Sequence, residues 1–126
     1  MQLRGLANQI IFHHINNFFD AKMERIERLK SFLEASPDDP FLKHALALEW
    51  IKLGDDQQAK FIFEEVLNKN PEYIGSYYHL AKLLERIGDR DAAAEWYRKG
   101  INAATRANDR HALGELMVAY EDLTDE

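Results

Sequence analysis

A chain of 126 residues with 46% hydrophobic and 30% charged side chains has the makeup of one globular domain able to bury a core, not of a disordered segment. Its formal charge of −6 argues against a nucleic-acid partner held by general basicity. Its lack of cysteine excludes disulfides and thiolate metal sites and, being compatible with a reducing compartment, sets the expectation of a cytoplasmic protein.

In chain order, residues 1–22 are the least regular part. The stretch 3–19 is interrupted by Asn8, Gln9, His13, His14, Asn16 and Asn17, and so falls short of the ~20 mostly apolar residues of a membrane span. Leu3, Leu6, Ile10 and Phe18 still allow an amphipathic helix. Three readings stay open. The segment is a degenerate packing helix, a membrane-surface or partner-docking helix with few basic residues, or a non-native extension before a start at Met23. The last is suggested by the crowding of Ile, Phe, His and Asn, which AT-rich codons specify, into positions 10–19. Residues 23–35 then read as a helix carrying Leu29, Phe32 and Leu33.

From residue 40 the chain repeats itself at an offset of 34 residues. Leu46-Ala47 recurs as Leu80-Ala81, Lys52-Leu53-Gly54-Asp55 as Arg86-Ile87-Gly88-Asp89, Ala59 as Ala93, Phe63 as Tyr97 and Leu67 as Ile101. Each unit reads as helix, turn, helix. Gly54 and Gly88 stop the first helices, because glycine enters the left-handed conformation without a Cβ penalty. Asp55 or Asp56 in one unit and Asp89 in the other are placed to cap the second helices. Ala47, Ala59, Ala81 and Ala93 fall where the two helices of a hairpin approach most closely, with Phe63 and Tyr97 as the large complement. With Thr105 where Pro71 stands in the first unit, the second hairpin is expected to run on to about Ala107. A last helix over 109–123 carries Leu113, Leu116, Met117, Tyr120 and Leu123 and is expected to cap the stack.

The motifs Lys43-x2-Leu46-Ala47-x2-Trp50, Ala59-x3-Phe63 and Pro71, then Tyr77-x2-Leu80-Ala81-x2-Leu84 and Ala93-x3-Tyr97, are similar to W-x2-L-G-x2-Y, A-x3-F, P of the tetratricopeptide repeat. The resemblance covers residues 40–105. It implies an all-α, right-handed superhelical stack of antiparallel helix hairpins, a TPR-like α-solenoid with a capping helix at the C-terminus. The expected domain is 23–126, with repeats at about 40–73 and 74–107 and flanking helices at 23–35 and 109–123.

Enzyme motifs are missing: no G-x-S-x-G, no phosphate-binding glycine loop, no G-x-G-x-x-G. The five histidines show no metal-ligand spacing, so no catalysis, cofactor or metal is expected. What the resemblance implies instead is a concave groove lined by the first helices. Helical geometry then puts Phe41, His44, Leu48, Ile51 and Lys52 on it in one unit, and Tyr78, Lys82, Glu85 and Arg86 in the next. The groove is thus expected to be apolar at one end and basic at the other. It fits a peptide or helix of a protein partner, with neither nucleic acid nor membrane involved. Two alternatives stand beside this: a self-associating module, since two full units are fewer than a stack usually needs, and a fixed accessory subunit of a larger complex. Leu48 stands where some family members carry an asparagine that grips a terminal carboxylate, which argues against that activity.

Overall fold

Four aspartates set the helix starts. Asp39 accepts from the Phe41 and Leu42 amides at 2.9 and 3.3 Å, ahead of Pro40 at the first helical position. Asp55, Asp89 and Asp109 each accept from the amide three residues on, at 3.1–3.2 Å. Gly54 and Gly88 take φ of 83° and 88°, as the turns after the first helices require, and Asn108 takes the same left-handed conformation at φ 54°.

The computed structural model describes residues 2–125, and side chains from Arg4 to Asp125. Its helices are α1 (Gln2–Ala35), α2 (Pro40–Lys52), α3 (Asp56–Lys69), α4 (Gly75–Arg86), α5 (Arg90–Ala107) and α6 (Arg110–Thr124), with no strand among the described residues. Each helix packs on its neighbours in sequence, and α4 also touches α6, so the chain is an α-solenoid of stacked hairpins. The second hairpin ends at Ala107, the expected point.

Ala47, Ala59, Ala81 and Ala93 are fully buried, as are Phe63 and Tyr97. Hence the small residues do mark the helix contacts. Gly100 marks another: a Cβ there would lie 2.7 Å from Tyr77 Cβ on α4 and 3.2 Å from Leu116 Cδ1 on α6. The Tyr77 hydroxyl donates to the Pro71 carbonyl at 2.6 Å, tying the second unit to the end of the first. Lys43, which stands in place of the motif's first tryptophan, buries its stem and reaches Glu65 at 3.0 Å.

Three details depart from the sequence reading. Helical periodicity turns Tyr77, Leu80, Ala81, Leu84 and Ile87 of α4 toward the core, yet Ile87 is 37% exposed at the helix end and Leu83 is fully buried. Met117, placed on the apolar stripe of α6, is 43% exposed; Leu116, Ala119 and Leu123 supply the buried face. And α1 does not begin near residue 23 but runs unbroken from Gln2. Residues 4–20 are exposed throughout, so they do not lie over Phe41, Leu48 or Ile51.

Candidate protein-binding groove

The first helices α2, α4 and α6 line one side of the stack. Phe41 is 66% exposed at the start of α2, with Leu48 and Ile51 half-buried further along it. Both of the latter pack against the core, and so serve it as well as the surface. Lys52 is exposed and paired with Glu49 at 3.2 Å.

His44 is not on the open face. It sits in the seam between α2 and α4, hydrogen-bonded to the buried Ser76 hydroxyl at 2.8 Å, with rings of Phe63, Tyr73 and His79 within 5.5 Å. Burial, and secondarily the neighbouring His79, lowers its pKa to about 4. The His79 pKa is lowered too, first by burial and then by Arg86. Both rings are therefore neutral at pH 7 and act as packing groups between repeats.

The expected basic end is largely self-neutralised. Arg86 pairs with Asp56 of the preceding unit at 3.1 Å, which consumes the second of the two candidate cap aspartates. Lys82 lies 3.6 Å from Glu85 and over the Tyr78 ring. Glu85 in turn accepts from the Tyr97 hydroxyl, so it ties α4 to α5 rather than facing a partner. Burial, and secondarily that carboxylate, pushes the Tyr97 phenol far above its usual range.

Two of the residues expected on the groove, Tyr78 and Lys82, also border an opening toward α6. Between α4 and α6 is a recess of about 520 Å³ lined by Tyr78, Lys82, His111, Gly114, Glu115 and Val118. A second recess of about 290 Å³ adjoins it, sharing Tyr78, His111 and Glu115. Tyr78 is thus the residue of α4 that borders both. Val118 stays 60% exposed on the far wall, and a Cβ added at Gly114 would meet nothing within 4 Å. His111, Gly114 or Glu115, Val118 and Asp122 recur at steps of three and four, which was visible in the sequence. Their spacing alone does not separate a binding face from the solvated face of a capping helix.

Among the described residues no group of three or more His, Asp or Glu is placed to hold a metal, and no helix is long and apolar enough to cross a membrane. Stacked helix hairpins with an open face on the first helices define a class of repeat protein that presents surface to other proteins. Comparison with known proteins names the family. The tetratricopeptide repeat profile matches residues 74–105. A tetratricopeptide repeat domain protein from Salinibacter ruber is 38% identical in sequence, with a TM-score of 0.68, over 71% of this chain and 90% of that one. A protein of Bordetella parapertussis is 26% identical at a TM-score of 0.69, over 79% and 87% of the two chains. The mouse interferon-induced protein with tetratricopeptide repeats 3 is 22% identical over 105 residues, 83% of this chain. The chain spans 26% of that relative's length. The protein belongs to the tetratricopeptide repeat family. That fold is in general a protein–protein interaction module, and its members are in general non-catalytic scaffolds.

Proposed function

We propose that this protein is a non-catalytic scaffold that holds a segment of a partner protein against α2, α4 and α6, with the recess between α4 and α6 as the anchoring point. The observation that carries this reading is the recess itself. It is bounded by an aromatic ring, Tyr78, and by an aliphatic side chain, Val118, that remains 60% exposed although Leu116, Ala119 and Leu123 of the same helix are buried. An apolar anchor entering it would displace water from both, which is where most interface energy resides. The rim carries both signs, Lys82 and Arg110 against Glu115 and Asp122, which suits a segment with an apolar anchor between opposite charges. Leu48, Ile51 and Phe41 extend the same face and would take the far end of a longer segment.

The test is affinity for a partner recovered by photocrosslinking from the recess. Val118→Asp should weaken binding by at least ~2 kcal/mol, because it places an unpaired charge in a desolvated contact. Its side chain is exposed in the free protein, so helicity and melting should not change. Unaltered affinity would remove the recess from the binding site.

A further inference from the structure

The second helices of the two hairpins, α3 and α5, border a recess whose chemistry differs from that of the groove. It holds about 290 Å³. Leu67 and Asn68 of α3 line one wall, and Trp96, Lys99, Asn102 and Arg106 of α5 line the other. Pro71 and Tyr77 complete it, and none of its residues belongs to the recesses beside α6.

The repeat offset shows what is particular to this wall. Trp96, Lys99, Asn102 and Arg106 correspond to Ile62, Glu65, Asn68 and Glu72 of the first unit. Two bases thus stand where the first unit has two acids, while the asparagine is the same in both. The spacing, in steps of three and four, keeps the four residues on one side of α5. Arg106 is there because α5 has 18 residues against 14 in α3, and the added turn carries it.

Among the described residues no carboxylate lines the recess, in a chain with 22 acidic and 16 basic side chains. The charge of Arg106 reaches its interior. Burial raises the Tyr77 pKa, Arg106 is the main influence against that rise, and Glu72 adds to it. Lys99 lies 3.3 Å from Glu95 and 4.5 Å from the centre of the Trp96 ring. Both members of that ion pair are half exposed, so it is weak and Lys99 is open to a competing anion. The rest of the recess is already in place. Leu67 and Tyr77 are each 3% exposed, and the Tyr77 hydroxyl is held on the Pro71 carbonyl at 2.6 Å. A ligand would therefore meet a formed site and lose little in ordering it.

Charge and size select the ligand. A phosphomonoester carries about −1.5 to −2 near neutral pH, which matches two cations, whereas one carboxylate leaves a cation unmatched. The planar fork of an arginine suits phosphate oxygens, and the asparagine amides can bond to a polar body. The volume is near the ~300 Å³ lower end of small-molecule sites. Two cations on an acidic chain are too few to track a nucleic-acid backbone.

We propose that the recess between α3 and α5 binds a small free phosphomonoester, with Lys99 and Arg106 on its phosphate and Asn68 and Asn102 on its polar body. This does not depend on the groove being a binding site, and its test involves no partner protein.

Glycerol phosphate and AMP should be titrated into the full chain at low salt and followed by NMR. Saturable shifts are expected at the Asn68 and Asn102 side-chain amides and the Trp96 indole N–H, with Kd below about 1 mM for at least one of the two. Glycerol and adenosine, the same bodies without phosphate, should bind at least ~10-fold more weakly. Lys99→Gln and Arg106→Gln should each weaken binding by about 10-fold with helicity unchanged, since both side chains are exposed. Glu95→Gln removes the competitor of Lys99 and should tighten binding. Lys60→Gln, which removes the same charge from α3 outside the recess, should leave it unaltered. Weaker binding, or shifts spread over other lysine-bearing surfaces, means an adventitious ion only and overturns the proposal. So does an equal loss in Lys60→Gln, or tighter binding of succinate than of either phosphomonoester. A phosphoserine peptide that binds ~10-fold more tightly than both would overturn it in favour of a protein ligand.

Discussion

Two glycines in adjacent helices should respond to the same substitution with opposite signs. Gly100 lies inside α5, where alanine in place of glycine normally gains ~1 kcal/mol of helix propensity. Here the new methyl would stand 2.7 Å from Tyr77 Cβ and 3.0 Å from its Cγ, closer than carbon atoms tolerate. Tyr77 cannot swing aside: it is 3% exposed and its hydroxyl is held on the Pro71 carbonyl at 2.6 Å. The helices α4 and α5 must separate instead. Overpacking of this kind costs ~1–3 kcal/mol, and the near-backbone contact puts it at the upper end, so the net loss for Gly100→Ala should be about 1–2 kcal/mol. Gly114 lies inside α6 with open space at its Cβ position, so Gly114→Ala should keep the propensity gain of about 0.5–1 kcal/mol. Urea or thermal denaturation of the two variants beside the parent reads both signs directly. If Gly100→Ala stabilises, or if both shift the same way, the close approach of α5 to α4 and α6 is wrong.

Three further outcomes are expected. Ala81→Leu should cost ~1–3 kcal/mol because Ala81 is fully buried, whereas Lys82→Leu one residue on should stay within about 0.5 kcal/mol; equal losses would put the register of α4 in error. Asp89→Ala should cost ~1 kcal/mol through loss of the bond to the Ala92 amide, while Asp91→Ala, with no such cap, should cost less; denaturation midpoints distinguish them. Stability should fall on acidification. The folded state holds His44 at about 4, while an imidazole in the unfolded chain takes its proton near ~6.5, so between these values the unfolded state binds more protons. Stability is therefore full above about pH 6.5 and declines toward pH 4, and a His44→Gln variant, which keeps a partner for Ser76, should show a shallower decline in urea melts.

Much of this fold could be read from the chain because each local signal agreed with the repeat. Gly54 and Gly88 required left-handed turns, the aspartates after them had amides to cap, and the buried alanines recurred at the offset that brings hairpins together. The continuity of α1 was harder to see, because its first half does not fit the repeat register. A helix needs no such register, only the absence of breakers, and there is no proline before Pro37 and no glycine between Gly5 and Gly54. The groove was legible by face but not by contents. A helical wheel places Lys82 and Arg86 on the outer side of α4, yet it cannot show that Asp56, 30 residues earlier, comes within 3.1 Å of Arg86. Nor can it show that His44 turns into the seam beside Ser76. The recess appeared only when α6 was seen beside α4, since it is made by two helices with another helix between them in the chain.

The most direct measurement of the central claim is a photocrosslinking map. A photoreactive phenylalanine would be placed in turn at Tyr78 and Val118 in the recess, and at Glu95 and Asn102, exposed on α5, with irradiation in the source cells. The account predicts a discrete crosslinked protein from Tyr78 and Val118 and none from Glu95 or Asn102. Crosslinks formed from the α5 positions, with none from the recess, would contradict it.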